Sequence, residues 1–249
     1  MRIVACFKVS PEDQDIVARP DRTLSFDRAQ QKIGAYDLNA IEAARRLADE
    51  VGGTVIGLSA GGAALANAKL TKDALSRGLD ELVTLTDDAL PAAESYQTAS
   101  ALAQGIAQIG AVDLVLVGAG SSDAYTQQVG NQLGALLGWP TLNAVDALTV
   151  DGDHVVADRL LEDAVQVVEV TLPAVLSLTS GINEPRIAGM KDILAAGKKP
   201  VTKLTLAEPL PAATAATDSI LAPEQVDRGH VLFDGADAPT QLAAYLKSL

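Results

Sequence analysis

The stretch VLVGAGSSDAYTQQVG, residues 115–130, combines three local signals in the order that an α/β sheet requires. An apolar run (115–117) is followed by a loop of glycines and small polar residues, and a helical pattern begins after it. Strand, glycine-containing loop and helix in this order are typical of a unit whose loop lies at the carboxyl edge of a parallel sheet. Sheets of this kind bind their ligands at that edge.

The same alternation recurs along the first 140 residues. Short, continuously apolar runs indicate strands buried on both faces, as in a parallel sheet. Segments with Ala, Leu and Ile at helical spacing lie between them and are followed closely by glycine. This alternation predicts an α/β fold with a doubly wound, mainly parallel, Rossmann-like sheet. The predicted strands cover 2–9, 54–60, 81–86 and 112–118, and the predicted helices cover 36–51, 62–78, 96–110 and 126–140.

The pattern changes after about residue 145. Residues 148–180 alternate apolar and polar positions around an Asp151-Gly152 turn, which predicts a small β-meander. Its last strand is expected to rejoin the main sheet. A loop and a short helix from about Gly189 to Ala196 follow it.

The C-terminal part of the chain has a different composition. Residues 202–238 are rich in Ala, Pro and Thr, and 239–249 form an amphipathic helical pattern. We therefore predict an α/β domain over 1–201 and an extended arm with a terminal helix over 202–249. The arm either docks on a partner or folds back on its own domain, and the sequence favours neither.

The bulk composition excludes several classes of protein. The chain has 249 residues and a net charge of −13, which argues against a nucleic-acid partner. One cysteine, Cys6, and two widely separated histidines provide neither a disulfide framework nor a metal-ligand spacing. No signal peptide and no apolar run of the ~20 residues that span a membrane is present. We expect a cytoplasmic protein without a membrane span or a metal site.

The loop that follows the predicted strand 112–118 has the chemistry of a phosphate site. Gly118 and Gly120 allow close backbone approach, and Ser121, Ser122 and Thr126 offer hydroxyl groups next to a helix N-terminus. The Walker lysine is absent, and Asp123 interrupts the dinucleotide fingerprint. An ordinary strand-to-helix turn therefore remains an open alternative.

Other predicted strand ends point to the same edge of the sheet. Cys6-Phe7-Lys8 ends the first strand, Ser59-Ala60-Gly61-Gly62 forms a second loop of small residues after the next strand, and Tyr36-Asp37 opens the first helix. We interpret Cys6 as a small core residue and Asp37 as a helix cap. No acid–base pair, catalytic triad or metal cluster accompanies these residues. The sequence thus favours a ligand-binding protein over an enzyme such as a nicotinamide-dependent dehydrogenase.

A second segment is typical of a docking surface. Residues 183–186, Asn-Glu-Pro-Arg, form an exposed turn, and Met190, Ile193 and Leu194 lie on a short helix beside two lysines. An apolar helix next to basic residues in an acidic chain indicates a place for a partner. A solvated helix end with C-terminal lysines is the alternative.

Over about residues 1–205 the chain resembles the β subunit of electron transfer flavoproteins, and it is most similar to the Fix-type branch that includes FixA proteins. The resemblance depends on long stretches rather than on isolated residues. These stretches are CFKVSPEDQDI, YDLNAIEAA, SAGGAALANAKLTKDALSRGLDEL, GSSDAYTQQVG and LPAVLSLTSGINEPRIAGMKDILAAGKKPV.

The resemblance implies the β subunit of a heterodimer, an electron carrier rather than an enzyme. In this family an α subunit holds the redox-active FAD, and the β subunit binds either AMP or, in electron-bifurcating members, a second FAD. The C-terminal arm wraps the α subunit. The external partners are a dehydrogenase, acyl-CoA-type or other, and a quinone or ferredoxin-type acceptor. A stand-alone adenine-nucleotide-binding regulatory protein of related fold is the alternative.

The resemblance also implies site residues. Tyr36 matches an aromatic position that faces the flavin, and Met190 matches an anchor for the partner dehydrogenase. The implied docking residues are Asn183, Pro185, Arg186, Met190 and Ile193. The implied nucleotide-binding residues are Cys6, Gly34, Ala35, Tyr36, Asp37, Ala60, Gly118, Ala119, Gly120, Ser121, Ser122, Asp123, Ala124, Tyr125, Thr126, Gln127, Gln128 and Val129.

The chain departs from the family pattern at several of these positions. Ordinary members have Lys-Gln-Ala-Ile in place of residues 119–122 and Asn-Pro in place of 34–35. Val129 is similar to bifurcating members, where ordinary ones often have Thr. Residues 159–161 are Arg-Leu-Leu rather than Arg-Glu-Ile, so an interdomain ion pair that uses the glutamate is missing or moved to Glu162. The resemblance therefore leaves open whether the nucleotide bound by this chain is AMP or a second FAD.

Overall fold

A nine-stranded sheet with helices on both faces forms the centre of the chain. The computed structural model of the protein describes residues 1–226 and 229–249. Residues 227 and 228, which belong to the predicted arm, lie outside the described residues.

The strands are β1 (Arg2–Cys6), β2 (Val9–Pro11), β3 (Val17–Ala18), β4 (Leu24–Ser25), β5 (Gln31–Ile33), β6 (Thr54–Gly61), β7 (Glu81–Thr86), β8 (Leu114–Gly118), β9 (Thr141–Asp151), β10 (His154–Leu160), β11 (Val165–Thr171), β12 (Ala174–Leu178) and β13 (Val201–Leu204). The α-helices are α1 (Ala35–Val51), α2 (Ala68–Ser76), α3 (Ser95–Ile109), α4 (Val129–Leu137), α5 (Met190–Ala196) and α6 (Ala238–Leu246).

The strand order of the main sheet is β11-β10-β9-β12-β8-β1-β6-β7-β13. The strands from β9 to β13 in this order are parallel, whereas β10 and β11 add an antiparallel meander at one edge. The chain first builds β6 and β7 on one side of β1 and then crosses to β8 on the other side. The boundary between β1 and β8 is therefore the topological switch point, and the predicted doubly wound sheet is confirmed.

Side chains of β1 alternate between two core layers. Ile3 and Ala5 pack in the layer that includes helices α1 and α2, whereas Val4 and Cys6 pack in the layer of α3 and α4. This alternation follows from the period of two in a strand, and burial on both faces explains why residues 3–6 of β1 are all apolar. Burial also raises the pKa of the Cys6 thiol, so the side chain stays protonated and is a core residue, as the sequence predicted.

Several predicted boundaries are wrong. The helix predicted over 62–78 is a short 3-10 turn at Ala63–Ala66 followed by α2, because the Asn67 side chain accepts the Lys69 N–H and starts a new helix. The helix predicted from residue 126 begins only at Val129, since Gln127 has a positive φ of 56°. The first strand ends at Cys6 instead of residue 9, and the meander strand β9 begins at residue 141 instead of 148.

The segment between β1 and α1 contains two small antiparallel pairs that the sequence did not predict. β2 pairs with β5, and β3 pairs with β4. These strands have only two or three residues each, too few for a polar–apolar alternation to be visible.

The arm divides into two parts. Its first part lies along α3, where the Gln104 side chain accepts the Ala207 and Glu208 N–H groups and Glu94 accepts the Thr214 N–H. Leu221 then pairs with Thr23 as an isolated bridge. The terminal helix α6, in contrast, has no buried residue. The first part of the arm therefore folds back on the α/β domain, whereas the terminal helix α6 buries none of its residues there.

None of the helices in the described part of the chain combines the length and the apolar character needed to cross a membrane.

Candidate functional site

The loop that follows β8, residues 119–128, lies at the switch point between β1 and β8, and we call it the switch-point loop. The Ala119 N–H donates to the Leu178 carbonyl at 2.9 Å, which continues the pairing of β8 with β12 into the loop. Helix α4 starts directly after the loop, and the Gln128 side chain at its N-cap makes no capping hydrogen bond. Uncapped N–H groups at a helix start favour an anion at this position.

Two side-chain contacts connect the switch-point loop to the end of β1. The Lys8 ammonium donates to Asp123 Oδ1 at 2.8 Å and lies 2.6 Å from Oδ2. Ser10 Oγ and Ser122 Oγ are 3.4 Å apart. Partial burial opposes the charge on Asp123, but the Lys8 hydrogen bond and the other donors hold the pKa of its carboxyl below the ordinary value. The negative charge of Asp123 is thus compensated within the site.

Asp37 lies beneath the loop and joins the two strand ends. Its Oδ2 accepts the Lys8 backbone N–H at 2.7 Å, and the Gly118 N–H also donates to its carboxylate. Burial raises the pKa of Asp37 to about 7, although both backbone donors act in the opposite direction. The interpretation of Asp37 as a helix cap is wrong, because its carboxylate receives these N–H groups from outside the helix.

Glycine is required next to this carboxylate. A Cβ at Gly118 would lie 2.6 Å from Asp37 Oδ1 and 2.8 Å from Tyr36 Cβ, and a Cβ at Gly34 would lie 2.6 Å from Asp37 Oδ2. All three distances are far shorter than ordinary van der Waals contact. The two glycines therefore let three backbone segments converge on one buried carboxylate, which fixes the floor of the site.

Most of the nucleotide-binding residues implied by the resemblance come together at this edge. Residues 34–37 and 118–129 face each other across the switch point, as the Gly118 contacts with α1 require. Ala60 lies on β6, which pairs with β1. Cys6 ends β1, but its side chain points into the core. The Ser95 hydroxyl donates to Gln128 Oε1 at 2.7 Å and connects the loop to α3.

Two polar residues of this edge, Lys8 and Ser10, are not among the site residues predicted from the sequence, although the sequence placed Lys8 at the end of the first strand. Both follow β1 directly, and β1 neighbours the strand that carries the loop. Their position after a central strand was the available signal, because the carboxyl ends of parallel strands meet at one edge.

The donor chemistry of the site fits the phosphate of a nucleotide. The loop offers free helix-start N–H groups and the hydroxyl groups of Ser121, Ser122 and Thr126, while its one carboxylate, Asp123, is paired with Lys8. Within residues 1–226 and 229–249, no three His, Cys, Asp or Glu side chains form a group that could hold a metal ion. The arrangement is suited to holding a ligand.

The predicted docking segment is fixed by polar contacts on its inner side. The Asn39 amide donates to the Asn183 carbonyl at 2.7 Å, and Arg186 Nε lies 2.6 Å from the buried carboxylate of Glu42. Arg186 thus positions the segment instead of presenting a free cation. Met190 is 73% exposed, whereas Ile193 is only partly exposed. Ile187, 93% exposed, and Leu194, 66% exposed, extend the apolar surface beyond the implied docking residues.

The family model for the electron transfer flavoprotein domain matches residues 23–209, about three quarters of the chain. The chain belongs to the electron transfer flavoprotein family. Members of this family are flavin-associated electron carriers rather than enzymes. The mainly parallel sheet is consistent with this domain fold, and the match covers the switch-point loop and the docking segment.

Proposed function

We propose that this chain is the β subunit of a heterodimeric electron transfer flavoprotein, of the Fix type, and that its switch-point loop binds an adenine nucleotide. The observation that carries the proposal is the uncapped start of α4 at the switch point, with small residues and hydroxyl groups before it. This is the place and the chemistry at which a doubly wound sheet receives a phosphate.

The nucleotide is AMP or the adenylate part of a second FAD. Gly118 lies against Asp37 and Tyr36, so the start of the loop approaches α1 closely. Lys8 pairs with Asp123 and so compensates the one carboxylate of the loop, which favours an anionic ligand there. FAD, held by or shared with the α subunit, supplies the electron chemistry when bound. The residues of this chain bind the nucleotide, support the FAD domain of the α subunit and dock the partner proteins.

Two exposed apolar surfaces support a role in assembly. Helix α6 leaves Leu242 and Leu246 exposed at 44% and 59%, which fits a contact with the α subunit. The surface of Ile187, Met190 and Leu194 lies on a different segment and fits a dehydrogenase or an electron acceptor. Because the two surfaces are separate, the chain can bind the α subunit and an electron-transfer partner at the same time.

Co-expression with an α subunit of the same family tests this assignment. We expect gel filtration to give a yellow one-to-one complex, because the α subunit retains FAD when this chain supports it. A colourless chain that stays monomeric beside the α subunit contradicts the proposal. A stable homodimer that binds ATP without the α subunit also contradicts it and favours a regulatory protein.

A further inference from the structure

Two separate parts of the chain are held at the start of α3. The Glu94 carboxylate, at the N-cap of this helix, accepts the Thr214 N–H at 2.7 Å and the Ala215 N–H at 3.2 Å. The next residue, Ser95, donates its hydroxyl to Gln128 in the switch-point loop. We infer that docking of the arm on α3 and binding of a nucleotide at the switch-point loop are coupled through this helix start, so that each favours the other. The inference rests on the proposed function, because it concerns the regulation of the same nucleotide site.

One face of α3 binds the backbone of the arm through glutamine side chains. The Gln104 side chain accepts the Ala207 N–H at 2.8 Å and donates to the Glu208 carbonyl at 3.2 Å. Gln97 Nε2 donates to the Pro211 carbonyl at 2.9 Å. Because positions seven apart lie on one face of a helix, these contacts follow a single line along α3 toward its N-cap.

Two leucines of the arm pack beside the same helix start. Leu206 and Leu210 pack against the small apolar cluster that includes Leu90, in the 3-10 turn that lies shortly before the N-cap Glu94. Docking of the arm therefore removes apolar surface from water next to the start of α3. Together with the hydrogen bonds of Glu94, this packing fixes the position of Ser95.

Ser95 in turn affects the donors at the start of α4. Gln128 is the N-cap residue of α4, but its side chain makes no capping hydrogen bond. Its amide oxygen instead accepts the Ser95 hydroxyl at 2.7 Å. This oxygen therefore does not compete with an anion for the first N–H groups of α4. When the arm leaves α3 and the helix start loses its contacts, Ser95 no longer holds the oxygen in this position.

The arm has a docked and an undocked state because most of its contacts lie at the surface. Residues 207–209 and 212–215 are exposed. Hydrogen bonds of such a segment open at a lower free energy than those of the core. Two such states are what coupling between two sites requires. A nucleotide that binds more tightly when the arm is docked must favour docking by the same factor.

Calorimetric titration of the full-length chain, with AMP and with FAD as probes, tests the coupling from the side of the arm. Gln104→Ala removes hydrogen bonds to the arm but lies nine residues from Ser95 along α3, so it does not touch the loop. Alanine is a strong helix former, so the helix is retained. We expect the affinity for the nucleotide to fall about fivefold, at the lower end of the range typical of coupled sites. Gln166→Ala, at an exposed glutamine of β11, is the matched control and leaves the affinity unchanged.

A double-mutant cycle tests the route through the helix start. Ser95→Ala removes the hydrogen bond to Gln128 and leaves the contacts between α3 and the arm in place. In a chain that carries Ser95→Ala, the further change Gln104→Ala should cause no additional loss of nucleotide affinity, because the two sites are already uncoupled.

Hydrogen exchange measures the reciprocal effect. A saturating concentration of AMP or FAD should slow exchange of the Ala207 and Glu208 amides about fivefold in the wild-type chain, the same factor as in the titration. In Ser95→Ala, the nucleotide should leave the exchange of both amides unchanged.

Three results overturn the inference. Equal nucleotide affinities of the wild type and Gln104→Ala exclude the coupling, as does an arm whose amide exchange does not respond to the bound nucleotide. An effect of Gln104→Ala that is equally large with and without the Ser95 hydroxyl excludes the route through the start of α3. A wild-type chain that binds neither AMP nor FAD contradicts the proposed nucleotide site itself, and the coupling fails with it.

Discussion

The switch-point loop and the docking segment, residues 183–194, both follow a strand of the main sheet. They differ in which of their side chains make contacts within the chain and which are left exposed. In the loop, polar and aromatic side chains find partners from distant segments, as Lys8 does with Asp123 and Tyr36 does with Tyr125. In the docking segment the polar groups face inward, and Met190 is left exposed with its apolar neighbours. A loop with its polar groups fixed suits a small polar ligand, whereas an exposed apolar surface suits a macromolecule.

The largest effect on stability is expected from the buried carboxylate beneath the loop. The pKa of Asp37 rises from an ordinary value of 3.8 to about 7 in the folded chain. Folding therefore favours the protonated form of Asp37. The contribution of this group to the free energy of unfolding is complete below about pH 4 and is lost as the pH rises to about 7. We expect the free energy of unfolding to fall by about 4 kcal/mol over this range from Asp37 alone.

Urea unfolding of the wild type and of Asp37→Asn across this pH range measures the effect. The amide does not titrate, so the variant lacks this part of the pH dependence. Asp88→Asn, at an exposed carboxylate, is the control and retains it. An unchanged pH dependence in Asp37→Asn contradicts the role of Asp37 as the buried floor of the loop.

The second effect concerns the glycine that brings the loop to this floor. We expect Gly118→Ala to lower the free energy of unfolding by about 3 kcal/mol, because the new Cβ overlaps Asp37 and Tyr36. Gly197→Ala, at the end of α5, is a matched control, since its Cβ would meet only the Leu194 carbonyl at 3.8 Å. Chemical denaturation compares the two variants, and equal stabilities would show that the loop is not closely packed on α1.

The third effect concerns the polar anchor of the docking segment. Glu42 is buried and accepts from Arg46 and Arg186, both at 2.6 Å. We expect Glu42→Gln to cost about 2 kcal/mol, typical of a charge-assisted hydrogen bond, and to increase protease cleavage near residue 186. Glu50→Gln, at an exposed glutamate, serves as the control. Cleavage rates that do not differ between the variants would mean that other contacts hold the segment.

The smallest effect on stability is expected at the apolar surface itself. Met190→Ala removes a 73% exposed side chain, so the free energy of unfolding changes by less than about 0.5 kcal/mol. Electron transfer from the partner dehydrogenase should slow about tenfold with unchanged flavin content, because the anchor for the partner is lost. Val17→Ala, at an exposed residue of the β3–β4 pair, should leave the rate unchanged. An equal loss of flavin and rate in Met190→Ala would instead indicate a structural role.

The sheet could be predicted from the sequence because its central strands are buried on both faces. Runs such as 115–117 are apolar at every position, and the helices between them have regular spacing. The two small pairs before α1 have no such signal, since each strand has two or three residues. The late start of α4 depends on a positive φ at Tyr125 and Gln127. Neither tyrosine nor glutamine is a residue type from which a positive φ is predicted.

The candidate site was only partly predictable for a related reason. The glycines and hydroxyl groups of the switch-point loop are local, and the sequence placed them correctly at a strand end. The contacts that close the loop are not local, since Lys8 and Asp123 are 115 positions apart and Tyr36 and Tyr125 are 89 apart. Periodicity and short motifs carry no information about such pairs, which the sheet topology brings together.

The nucleotide content of the heterodimer tests the central claim most directly. The proposed complex of this chain with an α subunit of the family is purified and denatured, and its adenine nucleotides are separated and counted. We predict two adenine nucleotides per complex, either FAD with AMP or two FAD, because the proposed function assigns one nucleotide to the switch-point loop. A single FAD and no second adenine nucleotide would contradict the account.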